Sequence, residues 1–163
     1  MSGKHKVWRL GADIDTDQLA PGAYMKLGIE GIAPHCLEAV RPEFASVVRP
    51  GDVIAAGPNF GIGSSREQAA AALVQLGVRA VIAPSFSGLF FRNAFNLGLL
   101  LLTCPEAGEL REGEQVALDL QQMQVIAQDG SRLACDPIPG FLLEMVQAGG
   151  LLNQLRKRTQ PQG

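Results

Sequence analysis

Cysteine is scarce, with only Cys36, Cys104 and Cys135 in 163 residues, far apart and without Cys-x-x-Cys spacing. An odd number so spread argues against a disulfide framework, and reduced thiols are expected. Histidine is scarcer still: His5 and His35 read as surface or loop residues, so a zinc or iron–sulfur site built from this chain alone lacks its ligands. Any metal must come from elsewhere. Charge of one sign is also missing, since 14 Lys and Arg against 16 Asp and Glu give a net charge of −2. That balance provides no footprint for nucleic-acid phosphates. The longest apolar run, Leu97 to Cys104, falls well short of the roughly 18 residues that span a bilayer. Val7 to Leu10 is too short and interrupted for a signal-peptide apolar region. The expected protein is cytoplasmic, with neither nucleic acid nor membrane as partner. Internal repeats are lacking, and low complexity is confined to a frayed tail at 159–163.

What is abundant is glycine, at 19 residues, within a composition that is 47% hydrophobic. That describes a compact domain with many tight turns, and the length suits a single core, so residues 1–163 are expected to form one domain. The middle is the legible part. Apolar runs at 52–56, 78–83 and 99–103 read as strands, separated by an alanine-rich stretch from Ser64 to Leu76 and an apolar one from Phe86 to Leu97, each ended by glycine. Strand, helix, strand, helix, strand implies parallel pairing through right-handed crossovers, hence an α/β fold. Beyond Pro105 the segments 115–120, 123–128 and 132–135 alternate loosely around Asp129-Gly130, a β-rich texture. Two short helices, 140–148 and 151–158, are expected to follow, with Arg156-Lys-Arg158 as a solvated helix end. The first forty-odd residues look loop-like, and a long structured loop is more often functional than filler.

Chemistry concentrates at Gly57-Pro-Asn-Phe-Gly-Ile-Gly-Ser-Ser-Arg-Glu67. Ser64 with Glu67 three positions on matches a capping box, so the alanine-rich helix is expected to start there with Ser64 as N-cap. Unpaired N–H groups and a partial positive charge make a helix N-terminus a natural anion seat. Gly57, Gly61 and Gly63 would let a ligand approach the backbone, Ser64 and Ser65 add hydroxyls, and Arg66 adds a planar fork suited to a carboxylate. A cation in a helix's first turn opposes the dipole by about 0.3–1 kcal/mol, a local rule broken in the way functional sites break them. Equally, Ser64 can be a plain cap and Arg66 a solvent-facing side chain. Known phosphate loops fit poorly: no lysine precedes the hydroxyls and no third glycine completes a dinucleotide fingerprint.

These blocks, together with Ala83-Pro-Ser-Phe-Ser-Gly-Leu-Phe-Phe-Arg-Asn-Ala94 and Asn96-Leu-Gly-Leu-Leu100, resemble the hallmarks of the aconitase superfamily's swivel domain. The segments Asp13-Ile-Asp-Thr-Asp-Gln-Leu19 and Pro21-Gly-Ala-Tyr24 are similar to the opening of the isopropylmalate dehydratase small-subunit family. The resemblance spans nearly the whole chain. It implies a swivelling β/β/α domain that closes over a large subunit, whose own cysteines hold a four-iron four-sulfur cluster, with no cofactor on this chain. It implies Ser64 as the base beside the substrate carboxylate, Ser65 and Arg66 as the residues holding that carboxylate, and Thr16 with Asp17 lining the same cavity. The turn Tyr24-Met25-Lys26-Leu27 would face the variable group of a small di- or tricarboxylate, with Lys26 as a contact. Relatives commonly have arginine and threonine where Lys26 and Leu27 stand, a departure that points to substrate choice. The expected reaction moves a hydroxyl between neighbouring carbons through a dehydrated intermediate. Homoaconitate, methylmalate and dimethylmalate are the alternative substrates. A non-catalytic anion-binding module is the alternative of another class.

Overall fold

In the computed structural model, which describes residues 3–150 and Leu155, the sheet is organised about a strand that the pattern of the first residues conceals. His5–Arg9 forms β1, with Val7 and Trp8 buried together rather than in alternation. A short helix α1 (Thr16–Leu19), a 3-10 turn (Gly22–Leu27), α2 (Gly28–Ile32) and α3 (Phe44–Val47) follow. Then come β2 (Val53–Ala55), α4 (Gln68–Gln75), β3 (Ala80–Ala83), α5 (Gly88–Asn96) and β4 (Leu100–Thr103). The expected β segment resolves into β5 (Gln115–Asp119), β6 (Gln124–Ile126) and β7 (Arg132–Ala134), and α6 (Gly140–Ala148) closes the described part. The second expected helix, 151–158, and the tail at 159–163 lie outside the described residues, Leu155 apart.

The seven strands run in the order β4-β3-β2-β1-β5-β6-β7. β1 to β4 pair in parallel, whereas β5, β6 and β7 form an antiparallel meander. β1 is the junction, parallel to β2 on one side and antiparallel to β5 on the other. The β2 and β3 residues are buried without exception, as strands covered on both faces must be. α4 packs on α1, α2 and α5, so the N-terminal segment and the glycine-rich loop lie on one side of the parallel half. Among the described residues no helix is long and apolar enough to cross a membrane.

Two clasps hold β1 in place. The Trp8 Nε1 donates to buried Asp52 at 2.9 Å while its ring meets Phe44 edge-on at 5.0 Å. Arg41 donates to Glu112 at 2.9 Å, and the Arg9 N–H donates to the same carboxylate at 2.7 Å. The cysteines are free and buried. The interacting thiols of Cys104 and Cys135 are shifted in opposite directions, Cys104 below its ordinary value and the desolvated Cys135 above it. Burial pushes the Cys36 thiol up to about 12.

Candidate active site

The site begins with two backbone segments laid side by side. Asp15 and Ile62 form a parallel bridge, in which the Gly61 N–H donates to the Ile14 carbonyl at 2.7 Å and the Thr16 N–H to the Ile62 carbonyl at 2.8 Å. Asp15 caps α1, its side chain accepting from the Gln18 N–H at 2.8 Å, while the Gln18 side chain accepts from the Asp15 N–H at 2.9 Å. This reciprocal cap fixes where Thr16 and Asp17 stand.

The loop corrects three expectations. Ser64 is not an N-cap: residues 64–67 are non-helical, α4 starts only at Gln68, and Glu67 precedes it without a side-chain cap. The anion seat therefore has no helix N–H groups directly at Ser64, and Arg66 does not sit in a helical first turn. The physical reason is the bridge to residues 14–16 together with Asn93, whose Nδ2 donates to the Ser65 carbonyl at 3.0 Å. Both hold the chain out of the helix past the point where a capping box would close. At two of the glycines a close approach is made by the chain itself. A Cβ on Gly61 would lie 2.3 Å from Phe90 Cγ, and one on Gly63 would lie 2.9 Å from Thr16 Oγ1. Both have positive φ, +85° and +109°, so they serve the loop's own packing.

Thr16, Asp17, Ser64 and Arg66 nevertheless converge. The Ser64 Oγ accepts from Arg66 Nε at 2.9 Å and lies 3.3 Å from Thr16 Oγ1. Arg66 Nη1 donates to the Ala20 carbonyl at 2.9 Å and to Asp17 Oδ1 at 3.3 Å. Thr16 is buried, Arg66 half-buried, and Gly63, Ser64 and Ser65 exposed. Among the described residues these bonds engage Nε and Nη1, and none engages Nη2. A guanidinium on the Ser64 hydroxyl favours its ionised form.

Ser65, next in the chain, is exposed. Lys26 stands exposed on the neighbouring turn, with no hydrogen bond or ion pair joining it to the seat among the described residues. The Tyr24 ring on that turn stacks on His35 at 3.6 Å, and His35 Nδ1 lies 2.7 Å from Glu38 Oε1. Sequence alone passes over three contributors. Asp15 was legible as an Asp-x-x-Gln cap, whereas the Ala20 carbonyl carries no side-chain signal. Asn93 stands on the second of the long helices, and its side chain anchors the site loop. Among the described residues no three His, Cys, Asp or Glu side chains cluster as metal ligands, and the three thiols do not form a cluster-binding set. An iron–sulfur group does not fit this chain's own residues.

Residues 49–107 match the aconitase C-terminal domain family. The 3-isopropylmalate dehydratase small subunit of Thermodesulfovibrio yellowstonii is 44% identical over 97% of this chain and 96% of that protein. The methanogen homoaconitase small subunit of Methanothermobacter thermautotrophicus is 43% identical over 93% and 89%. The crystal structure of 3-isopropylmalate dehydratase from Methanocaldococcus jannaschii superposes with a TM-score of 0.89 at 39% identity, covering 97% of this chain and 95% of that one. On relatedness this extensive, the chain belongs to the 3-isopropylmalate dehydratase small-subunit family of the aconitase superfamily.

Proposed function

We propose that this chain, as one swivelling domain, is the small subunit of a cytoplasmic aconitase-type hydro-lyase that isomerises 3-isopropylmalate by dehydration and rehydration. The observation that carries the reading is the 2.9 Å contact from Arg66 Nε to Ser64 Oγ, because a serine hydroxyl becomes a base only with a cation held against it. In this reading Ser64 takes the proton next to the substrate carboxylate, and Arg66 Nη2 with the Ser65 hydroxyl grips that carboxylate. Thr16 keeps the Ser64 Oγ aimed, Asp17 borders the cavity, and Lys26 meets the variable group. A large partner subunit closes the cavity. That partner would hold the four-iron four-sulfur cluster, which would supply Lewis-acid chemistry for loss of the hydroxyl.

The test is Ser64→Ala in the anaerobically reconstituted two-subunit enzyme. Turnover is expected to fall by at least ~10²-fold, the lower end for a positioned base, with the complex still assembling. Near-normal turnover refutes the assignment. A second reading, a homoaconitate-type small subunit, is favoured by the 43% identity to the methanogen protein. Methylmalate and dimethylmalate belong to the same panel of malate analogues, and the preferred substituent decides among them.

A further inference from the structure

Asp17 is an awkward neighbour for an anionic substrate, since its carboxylate would repel the group that Arg66 attracts. Its contacts point to a different task. One oxygen, Oδ1, accepts from the Gly22 N–H at 2.9 Å and from Arg66 Nη1 at 3.3 Å. Gly22 opens the 3-10 turn Gly22–Leu27 that carries Lys26. Its first residue lies close to the guanidinium, for a Cβ there would be 3.3 Å from Asp17 Oδ1 and 3.8 Å from Arg66 Nη1. Nη1 also bonds the Ala20 carbonyl at 2.9 Å, so Arg66 is tied to the chain directly before Pro21 and, through Asp17, after it. At the far side Tyr24 is stacked on His35. The turn therefore has two anchors, and the Asp17 anchor is shared with Arg66. Asp17 in turn stands on a helix whose start is fixed by the reciprocal Asp15–Gln18 cap.

Resting on the reading above, we propose that Asp17 is a positioning residue, a joint through which the turn facing the substrate's variable group sets the Arg66 guanidinium that holds its common carboxylate. A substituent of the wrong size displaces the turn, the turn pulls on Asp17 Oδ1, and Arg66 leaves its productive position. Selection among malates then acts on turnover as well as on binding. The Asp17 side chain is 70% exposed, so breaking the pair has little effect on folding.

The experiment has two arms. In the reconstituted enzyme, kcat/KM is measured for malates that differ only in their 3-alkyl substituent. Asp17→Ala is expected to compress the ratio between best and worst analogue by about 10-fold, the scale of pocket discrimination by a methylene or two. Asp17→Asn, whose carbonyl oxygen still accepts from both donors, is expected to restore most of the ratio. A uniform drop for every analogue, or no rescue by asparagine, overturns the joint. The second arm needs no turnover: amide NMR spectra of the full chain with Arg66→Gln should show shifts over residues 22–27, and these should vanish in the Asp17→Ala background. Unshifted turn amides overturn the joint whatever the enzyme assay gives. Turn shifts accompanied by full activity of Ser64→Ala sink the catalytic reading and leave the joint standing.

Discussion

At the scale of single residues, two glycines show how the loop divides folding from function. Gly61 faces Phe90, and a methyl there would sit 2.3 Å from the ring while holding φ at +85°. Overpacking costs about 1–3 kcal/mol and a left-handed non-glycine residue about 1–2 kcal/mol more. Gly61→Ala is therefore expected to lower stability by about 2–5 kcal/mol, read as a large fall in Tm or failure to fold. Gly63 instead faces the end of a side chain, Thr16 Oγ1 at 2.9 Å. Thr16 can rotate away, at the expense of its 3.3 Å contact with Ser64 Oγ. Gly63→Ala should keep a folded chain, with a loss of about 1–2 kcal/mol, yet reduce turnover of the reconstituted enzyme by about 10-fold or more through a misaimed Ser64. Equal damage to Tm in both variants would show that Gly63 serves folding alone.

At the scale of elements, β2 to β4 and the antiparallel segment were legible, whereas β1 and the start of α4 were not. β2, β3 and β4 are buried apolar runs bounded by turns, and α5 and α6 end at glycines, so composition and punctuation sufficed. β1 escaped because its residues neither alternate nor form a long apolar run; its place is set by partners 44 and more residues away, such as Asp52 for Trp8. The start of α4 was misread because a Ser-x-x-Glu pattern is a local signal, overridden here by the bridge to Asp15 and the Asn93 bond. The site residues were named by resemblance, but their order in space, with Arg66 as hub, is a tertiary fact. The elements around β1 also carry a pH dependence. Burial alone would raise the Glu112 carboxyl, but Arg41 and the Arg9 N–H outweigh it and hold it below its ordinary value of 4.5. Arg41 likewise lowers Glu43. A carboxylate depressed in the folded chain stabilises it above the unfolded value and ceases to as pH falls through the folded one. Tm should thus decline as pH drops below about 5, and Arg41→Gln should flatten that decline while lowering Tm at neutral pH. An unchanged acid slope in Arg41→Gln would assign the acid sensitivity to other groups.

At the scale of the whole molecule, the proposed reading makes the seat a half-site. Gly63, Ser64 and Ser65 are exposed, and the Asp17 and Arg66 side chains retain 70% and 26% of their accessibility. Two unit charges 4 Å apart attract by about 1 kcal/mol in water and about 4 kcal/mol at an effective dielectric near 20. Arg66 alone, wetted and screened, cannot hold a dicarboxylate firmly or keep a serine ionised; a second surface that expels water changes both at once. The isolated chain is therefore expected to show no dehydratase activity and to bind malates no tighter than about 1 mM, with affinity falling further as salt is raised. Adding the large subunit should produce activity and tighten binding together, because one closure supplies both. Calorimetric titration of the chain alone at low and high salt checks this directly. Micromolar binding by the chain alone, insensitive to salt and unaccompanied by activity with any large subunit, would mean that the seat is already complete, and the non-catalytic anion-binding module would then be the better description.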